Sequence, residues 1–144
     1  MSLKFSEIHA AIKTKMDTLT GFKQARYPLQ YFGRTSNPLA HLGYSISLSS
    51  TNNGGRQRVT NAGVAMLTTA SVLFAYRLRP TDAYPTDYKL ALDKEEEVII
   101  ALLGSYSGIK PLMQINYSSS SREIPESLEY SMHTLEFEVI HYIK

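Results

Sequence analysis

Hydrophobic and polar positions alternate most clearly from Met66 to Arg79, where the sequence reads MLTTASVLFAYRLR. Val72 and Phe74 fall on one side of this stretch, and Ser71 and Arg77 fall on the other. A period of two residues with many β-branched and aromatic side chains is typical of a strand. At ~3.3 Å per residue, a strand over the whole stretch is about 45 Å long, which exceeds the usual length. We therefore predict that the rest of the chain is organised around one long strand.

Three other stretches are predicted to be strands, namely Leu42–Ser50, Leu112–Tyr117 and Tyr130–Lys144, because apolar and polar residues alternate in each. Residues 50–63 contain Asn-Gly and Gly-Gly steps, which supply the positive φ that hairpin turns require. We expect them to form the flexible tip of a long hairpin that joins the first strand to the long one. Residues 118–127, SSSSREIPES, are predicted to be a polar connection rich in turns.

Two amphipathic helices are predicted, over Lys4–Leu19 and Thr86–Leu103. In the first, apolar residues recur at steps of three and four, and Gly21 stands where a left-handed stop is expected. The second has a comparable stripe, which consists of Tyr88, Leu92, Glu95, Ile99 and Leu102. Together the elements predict an α+β fold in the order α-β-β-α-β-β. In this fold a mainly antiparallel sheet with a long β-hairpin carries both helices on one face.

Composition is that of an ordinary globular chain, with 144 residues, 43% hydrophobic and 19% charged. This length predicts a single domain over residues 1–144. The absence of cysteine excludes disulfides and thiolate metal sites, and makes an intracellular origin the expectation. Apolar runs such as Val98–Leu103 are too short for a bilayer, which needs ~20 residues. The first residues contain no apolar run, so we expect no secretory signal and no membrane partner.

Charge is unevenly distributed along the chain. Residues 1–60 carry eight Lys or Arg against two acids, a net +6, whereas residues 61–144 carry seven against eleven, a net −4. Such a molecule favours head-to-tail association, in which basic and acidic surfaces of neighbouring copies meet. Chance segregation over a solvated surface is the alternative explanation.

No catalytic signature is present, so we expect neither an enzyme nor a cofactor or metal site. The four histidines (His9, His41, His133 and His141) form no HxH or HxxxH pair, and no convincing carboxylate–His–Ser spacing exists. Glu95, Glu96 and Glu97 are consecutive and point in different directions around a helix, so they cannot converge on one ion. We interpret these three glutamates as a solvated or subunit-facing patch.

Aromatic and basic residues are mixed in the connection Phe22–Leu39, which is a pattern also found in single-stranded nucleic-acid binders. Apolar side chains that pin a loop to a small domain explain the same pattern, and no second platform of this kind follows. The segment GGRQR at residues 54–58 lacks the Gly-Lys-Ser/Thr ending of a phosphate-binding loop. A nucleotide site is therefore not predicted there.

The order of elements resembles that of the tail-terminator proteins of tailed bacteriophages, the minor-tail-protein U family. Three segments carry the resemblance: Pro38–Leu39–Ala40, VLFAYRLRP at residues 72–80 and LEFEVIHYI at residues 135–143. It implies an α+β fold and a homo-oligomer, a hexameric ring that caps the tail tube at full length. It also implies contacts with the major tail tube protein and a head-completion protein, and DNA passing through the lumen without specific binding. The implied location is the head-proximal end of the virion tail, after assembly in the host cytoplasm.

Two sets of charged residues are the candidates for contact with a partner or with another copy. Arg56 and Arg58 on the hairpin tip, and Arg77 and Arg79 along the long strand, are expected to meet a neighbour, the tube or the lumen. The acidic candidates are Glu95, Glu96 and Glu97. Surface solubility is the competing explanation for the arginines. Two other functions remain open: another head–tail completion or tail-tube subunit, and a small enzyme or nucleic-acid-binding domain.

Overall fold

A computed structural model describes residues 4–25, 41–53, 59–60, 63–79, 83–104, 114–124 and 130–143. These residues form two helices and one sheet of six strands, and the α+β prediction is confirmed. Apart from two strands of two residues each, the order is the predicted α-β-β-α-β-β. The elements are α1 (Phe5–Asp17), β1 (Lys23–Gln24), β2 (Gly43–Asn53), β3 (Val59–Thr60), β4 (Gly63–Arg77), α2 (Tyr84–Gly104), β5 (Gln114–Glu123) and β6 (Tyr130–Ile143).

The long strand β4 lies in the middle of the sheet, whose order is β1-β2-β4-β6-β5 with β3 also beside β4. Its pairing with β6 is antiparallel and unbroken from Val64 opposite Ile143 to Arg77 opposite Tyr130. β2 pairs with its other edge, and only the short β1–β2 pair is parallel. The predicted long ribbon is therefore present, and its longest pairing joins β4 to the last strand of the chain.

Both helices cover the same face of the sheet. α1 turns Ile8, Ile12 and Met16 toward it at four-residue steps, and all three are buried. The amide of Lys4 donates to Oε2 of Glu7 at 2.7 Å, which satisfies one free donor at the start of the helix. The core between helices and sheet includes Tyr44, Ala70, Val72, Phe74, Val98, Leu102, Leu135, Phe137 and Val139. Burial of each large apolar side chain contributes about 1.5–3 kcal/mol.

A tight turn returns the chain from α1 to the sheet. Gly21 has φ 89°, the left-handed conformation that was predicted for it, but α1 already ends at Asp17 with a right-handed C-cap at Thr18, so Gly21 belongs to the turn beyond the helix and is not its stop. A Cβ at this position would lie 2.9 Å from Cδ1 of Leu42, which is itself in the left-handed region with φ 57°. The amide of Leu42 donates to the carbonyl of Ala75 at 2.7 Å, and its carbonyl accepts from Lys23 at 3.2 Å. Glycine is required here because the backbone needs a positive φ and close approach to Leu42.

Two local predictions are corrected by the strands. Residues 118–123, expected to be part of a polar connection, belong to β5 and pair with β6 through a bulge between Tyr117 and Ser119. Serine has little intrinsic preference for strands, and pairing with β6 rather than local propensity sets this conformation. In the predicted hairpin tip, β2 continues to Asn53, and Val59–Thr60 pairs with β4. Residues 54–58 and 61–62 of that tip lie outside the described residues.

Neither helix lies against the second face of the sheet. Side chains alternate along a strand, so residues next to the buried core positions of β4 and β6 point to this other side. Leu67 lies opposite Ile140 at one end, and Ala75 lies opposite Met132 at the other. Between the two apolar ends are Ser71 opposite Glu136 and Thr69 opposite Glu138. The face thus has an acidic middle, where Glu138 is exposed, between two apolar ends, of which Ala75 is buried and Leu67, Met132 and Ile140 are half-buried. We refer to it as the open sheet face, because neither helix covers it.

Candidate functional site

A buried polar cluster joins α2 to the two last strands. Oε1 of Glu95 lies 2.9 Å from Nδ1 of His133 and 2.9 Å from Nε of Arg122. Oε2 accepts a second hydrogen bond from Nη2 of Arg122 at 2.5 Å. Nε2 of His133 lies 2.8 Å from Oγ of Ser131. The imidazole also stacks on Phe74, with ring centroids 4.7 Å apart.

Charge and tautomer in this cluster follow from its surroundings. Burial by itself raises the pKa of Glu95, but hydrogen bonds from Arg122 and His133 outweigh it and lower the pKa below its ordinary value. Burial lowers the pKa of His133, so the ring is neutral at pH 7. An ionised carboxylate only accepts hydrogen bonds. Nδ1–H of His133 therefore donates to Glu95, and Nε2 accepts from the hydroxyl of Ser131.

The connectivity Ser131–His133–Glu95 is that of a serine nucleophile, its base and an orienting carboxylate. Accessibility decides against this role. Ser131 and His133 are 0% exposed and Glu95 is 3% exposed, so no substrate carbonyl reaches the hydroxyl. Arg122 also neutralises the carboxylate that would stabilise an imidazolium. We therefore assign the cluster a structural role in holding α2 on β5 and β6.

This geometry corrects the interpretation of the three glutamates. Glu95 is buried in the monomer, so it belongs to neither a solvated nor a subunit-facing patch. Its position between Ala91 and Val98 on the buried stripe of α2 was the signal that a partner was needed. Glu96 and Glu97 are exposed, and Glu97 pairs with Lys94 at 3.1 Å. Only these last two glutamates fit a surface patch.

A second buried polar chain lies at the other end of the same face. Oγ1 of Thr68 is 2.7 Å from Nε2 of His141 and 3.1 Å from Oγ1 of Thr51. Phe5 of α1 packs its ring edge-on against His141, with centroids 5.5 Å apart. Within the described residues no buried side-chain nitrogen or oxygen is left without a hydrogen-bond partner. Both polar clusters are therefore closed, satisfied parts of the core.

An open groove lies where β4 ends and α2 begins. Its volume is about 580 Å³, and it is lined by His41, Tyr76, Arg77, Arg79, Asp87 and Leu90. Two of the arginines expected to meet a partner therefore come together at one surface. We call this surface the β4–α2 groove.

Arg79 is fixed within the groove by the first turn of α2. Its amide and Nε each donate to Oδ2 of Asp87 at 3.0 Å, and Nη2 donates to Oδ1 at 2.8 Å. These hydrogen bonds lower the pKa of Asp87 to about 2. Because both charges are satisfied by each other, Arg79 positions the start of α2 and contributes little free positive charge. Its expected role as a partner contact remains untested.

Arg77 differs because its guanidinium is exposed and has no ion-pair partner in the described part of the chain. Its amide donates to Nδ1 of His41 at 3.1 Å, and the His41 ring packs edge-on against Tyr76 with centroids 4.6 Å apart. Burial, with a further contribution from the Arg77 charge, lowers the pKa of His41. The imidazole is therefore neutral at pH 7. Arg77 is the uncompensated charge of the groove.

The outer side of α2 carries a second unusual surface. Ile100 is 68% exposed, the largest exposure among the described large hydrophobic residues. Asp93 precedes it by seven residues and Glu96 by four, so both lie on the same side of the helix. Neither acid has an ion-pair partner within the described ranges. We call Asp93, Glu96 and Ile100 the α2 outer stripe.

Arg56 and Arg58 lie outside the described residues. Among the residues that the structure describes, no three His, Asp or Glu side chains are grouped so that they could hold a metal ion. No helix in the described ranges is long and apolar enough to cross a membrane.

No protein-family model matches the sequence, and none of the curated proteins compared with it matches either. The case for a function therefore rests on the geometry of this chain and on the resemblance described above.

Proposed function

We propose that this protein is a structural virion protein whose copies form a ring that caps a bacteriophage tail tube. In this role it ends polymerisation of the tube and provides the tail-side surface for head attachment. The observation that carries the proposal is the open sheet face, which presents aligned β4 and β6 side chains that neither helix covers. A sheet of this type gains stability when a second layer covers its apolar positions.

The chemistry of the open sheet face fits a second copy of the chain. Glu136 and Glu138 give its middle a negative charge, while residues 1–60 carry a net charge of +6. Among the described basic residues, Lys4 at the start of α1 and Lys15 within it lie on the helical side of the sheet, so they and the acidic face cannot satisfy each other within one molecule. They can do so in a neighbouring copy, and repetition of such a head-to-tail contact closes into a ring.

The burial of the polar cluster around Glu95 supports the same proposal. The most elaborate polar cluster, around Glu95, is inaccessible and holds the fold together rather than facing a substrate. Within the described residues, the accessible features are surfaces: the acidic middle of the open sheet face, the β4–α2 groove and the α2 outer stripe. A protein whose accessible features are extended surfaces is suited to assembly.

Mass measurement over a concentration range tests the proposal. Light scattering and native mass spectrometry should show the 16.2 kDa monomer converting into one closed species, a hexamer according to the resemblance. Added to a polymerising tail tube protein, the chain should produce tubes of limited length. Open-ended filaments of this chain alone would instead favour a tube subunit. A monomer at every concentration that leaves tube length unchanged would reject the proposal.

A further inference from the structure

We infer that the β4–α2 groove of one copy receives the α2 outer stripe of a second copy. The inference deepens the proposed function and rests on it, because it requires that copies of the chain associate. It identifies a contact that is separate from the open sheet face, with Arg77 on one side and Glu96 and Ile100 on the other.

The groove provides a cation beside apolar surface. Arg77 is exposed and lacks an ion-pair partner within the described residues, whereas Arg79 is held by Asp87 at 2.8 Å. Leu90 at the edge of the groove is 44% exposed, and Tyr76 lines its floor. An occupant must therefore bring one or two carboxylates and an aliphatic side chain.

The α2 outer stripe has these components. Ile100 supplies a large aliphatic side chain that is 68% exposed. Asp93 and Glu96 supply carboxylates on the same side of the helix, and the nearby Lys94 is already paired with Glu97. Aliphatic burial at the centre with ion pairs at the rim is the usual arrangement of a protein–protein contact.

Geometry prevents the two surfaces from satisfying each other within one molecule. Leu90 and Ile100 are ten residues apart on α2, which separates them by ~15 Å along its axis, whereas Asp93 is only three residues from Leu90 and lies beside the groove. Ile100 therefore cannot fill the groove of its own molecule and needs a second copy. A head-to-tail arrangement repeats the contact around a ring, whereas an antiparallel arrangement of two α2 helices uses it twice in a closed dimer.

Charge reversal tests the contact. Arg77→Glu and Glu96→Arg should each weaken association about tenfold or more, because like charges then face each other. The double variant carrying both changes restores opposite charges and should associate within about threefold of the unchanged protein. Dissociation constants are measured by analytical ultracentrifugation at two salt concentrations, and the unchanged protein should bind more weakly at high salt. Circular dichroism checks that each variant is folded.

Lys4→Glu is the matched control, because it reverses one exposed charge beside α1, at the far end of the sheet from Arg77. Glu96→Arg should weaken association by the same factor in the Lys4→Glu background as in the unchanged protein, because the charges at positions 4 and 96 do not meet in this contact. A ring that forms unchanged in both single variants would reject this contact and leave the proposed function intact. If the double variant associates again but forms only a dimer at every concentration, the contact is supported and the ring is rejected. A chain that never associates would reject both.

Discussion

Nδ1 of His133 lies 2.9 Å from Oε1 of Glu95, and this hydrogen bond connects the middle of α2 to the last strand of the sheet. Arg122 of β5 binds the same carboxylate through two nitrogens. Three consecutive elements of the chain therefore meet at one buried charge, through side chains that are 27 and 38 residues away from Glu95 in the sequence. The cluster fixes the position of α2, and with it the β4–α2 groove at one end and Ile100 at the other.

Loss of the Glu95 carboxylate should destabilise the fold strongly. In Glu95→Ala, the ring of His133 loses its acceptor in a fully buried site, while Arg122 can still turn to solvent. We expect the free energy of unfolding to fall by about 2–4 kcal/mol, as measured by urea denaturation. Glu96→Ala, one residue away and exposed, should change it by less than ~0.5 kcal/mol at protein concentrations where the chain is monomeric. Equal effects of the two changes would contradict the structural role of Glu95.

Acid should weaken the fold in two steps that come from the same cluster. The pKa of His133 is lowered in the folded state by burial, so the unfolded chain binds more protons below the ordinary value of 6.5. Stability then decreases as the pH falls from about 6.5 toward the folded pKa. The pKa of Glu95 is also lowered, so its contribution is complete above 4.5 and is lost as the pH falls further.

His133→Asn provides the comparison for this pH dependence. Its side-chain amide can still donate to Glu95 but does not titrate. The difference in unfolding free energy between the two proteins should shrink as the pH is lowered from 7 toward 5. A difference that is independent of pH over this range would show that the pKa of His133 is the same in the folded and unfolded states.

The carboxyl of Asp87 should titrate at an unusually low pH. Hydrogen bonds from the side chain and the amide of Arg79 lower its pKa to about 2. NMR titration of the side-chain carboxyl carbon measures this value directly. In Arg79→Gln the backbone donor remains and the guanidinium is lost, so the midpoint should rise toward the ordinary value of ~3.9 without reaching it. An unchanged midpoint would mean that Arg79 does not bind Asp87 in solution.

Replacement of Gly21 should be costly despite its exposed position. In Gly21→Ala, the added Cβ meets Leu42 at 2.9 Å and the residue must keep φ 89°. A loss of about 1–2 kcal/mol in unfolding free energy is expected. Thermal or urea denaturation measures it, with the adjacent exposed change Thr20→Ala as the control, expected to stay within ~0.5 kcal/mol. A neutral Gly21→Ala would show that the turn can adopt another backbone conformation.

Arg56 and Arg58 remain a prediction from the sequence, since both lie outside the described residues. Reversing both to Glu should abolish capping of tail tubes if these charges contact the tube or a neighbour. The measurement is tube length by electron microscopy after addition of the variant. Unchanged capping would reject that role and would leave surface solubility as their explanation.

The local pattern of apolar and polar residues was sufficient to predict much of the fold. The alternation in β4 correctly separated Val72 and Phe74, which are buried, from Arg77, which is exposed. Residues at steps of four in α1 were correctly placed on the sheet. In both cases one face of the element is buried, and this imposes a fixed period of apolar residues on the sequence. The buried side can therefore be predicted from one sequence alone.

Local pattern failed where pairing decided the conformation. The serine-rich residues 118–123 have no apolar alternation, and they become a strand because β6 offers a hydrogen-bonding edge. Arg122 could be recognised as the partner of Glu95 only after this pairing was known. Likewise, Ser131 and His133 could be recognised as hydrogen-bonding partners only once both were known to lie on β6, because residues two apart in a strand lie on the same face.

The sequence by itself determined both helices and most of the strand residues, the buried sides of α1 and β4, and the uneven charge along the chain. The tertiary structure alone decided which charges are buried with partners and which are left for other molecules. The reason is physical: periodicity is a property of neighbouring residues, whereas the partner of Glu95 and the freedom of Arg77 depend on residues that approach only when the sheet is assembled.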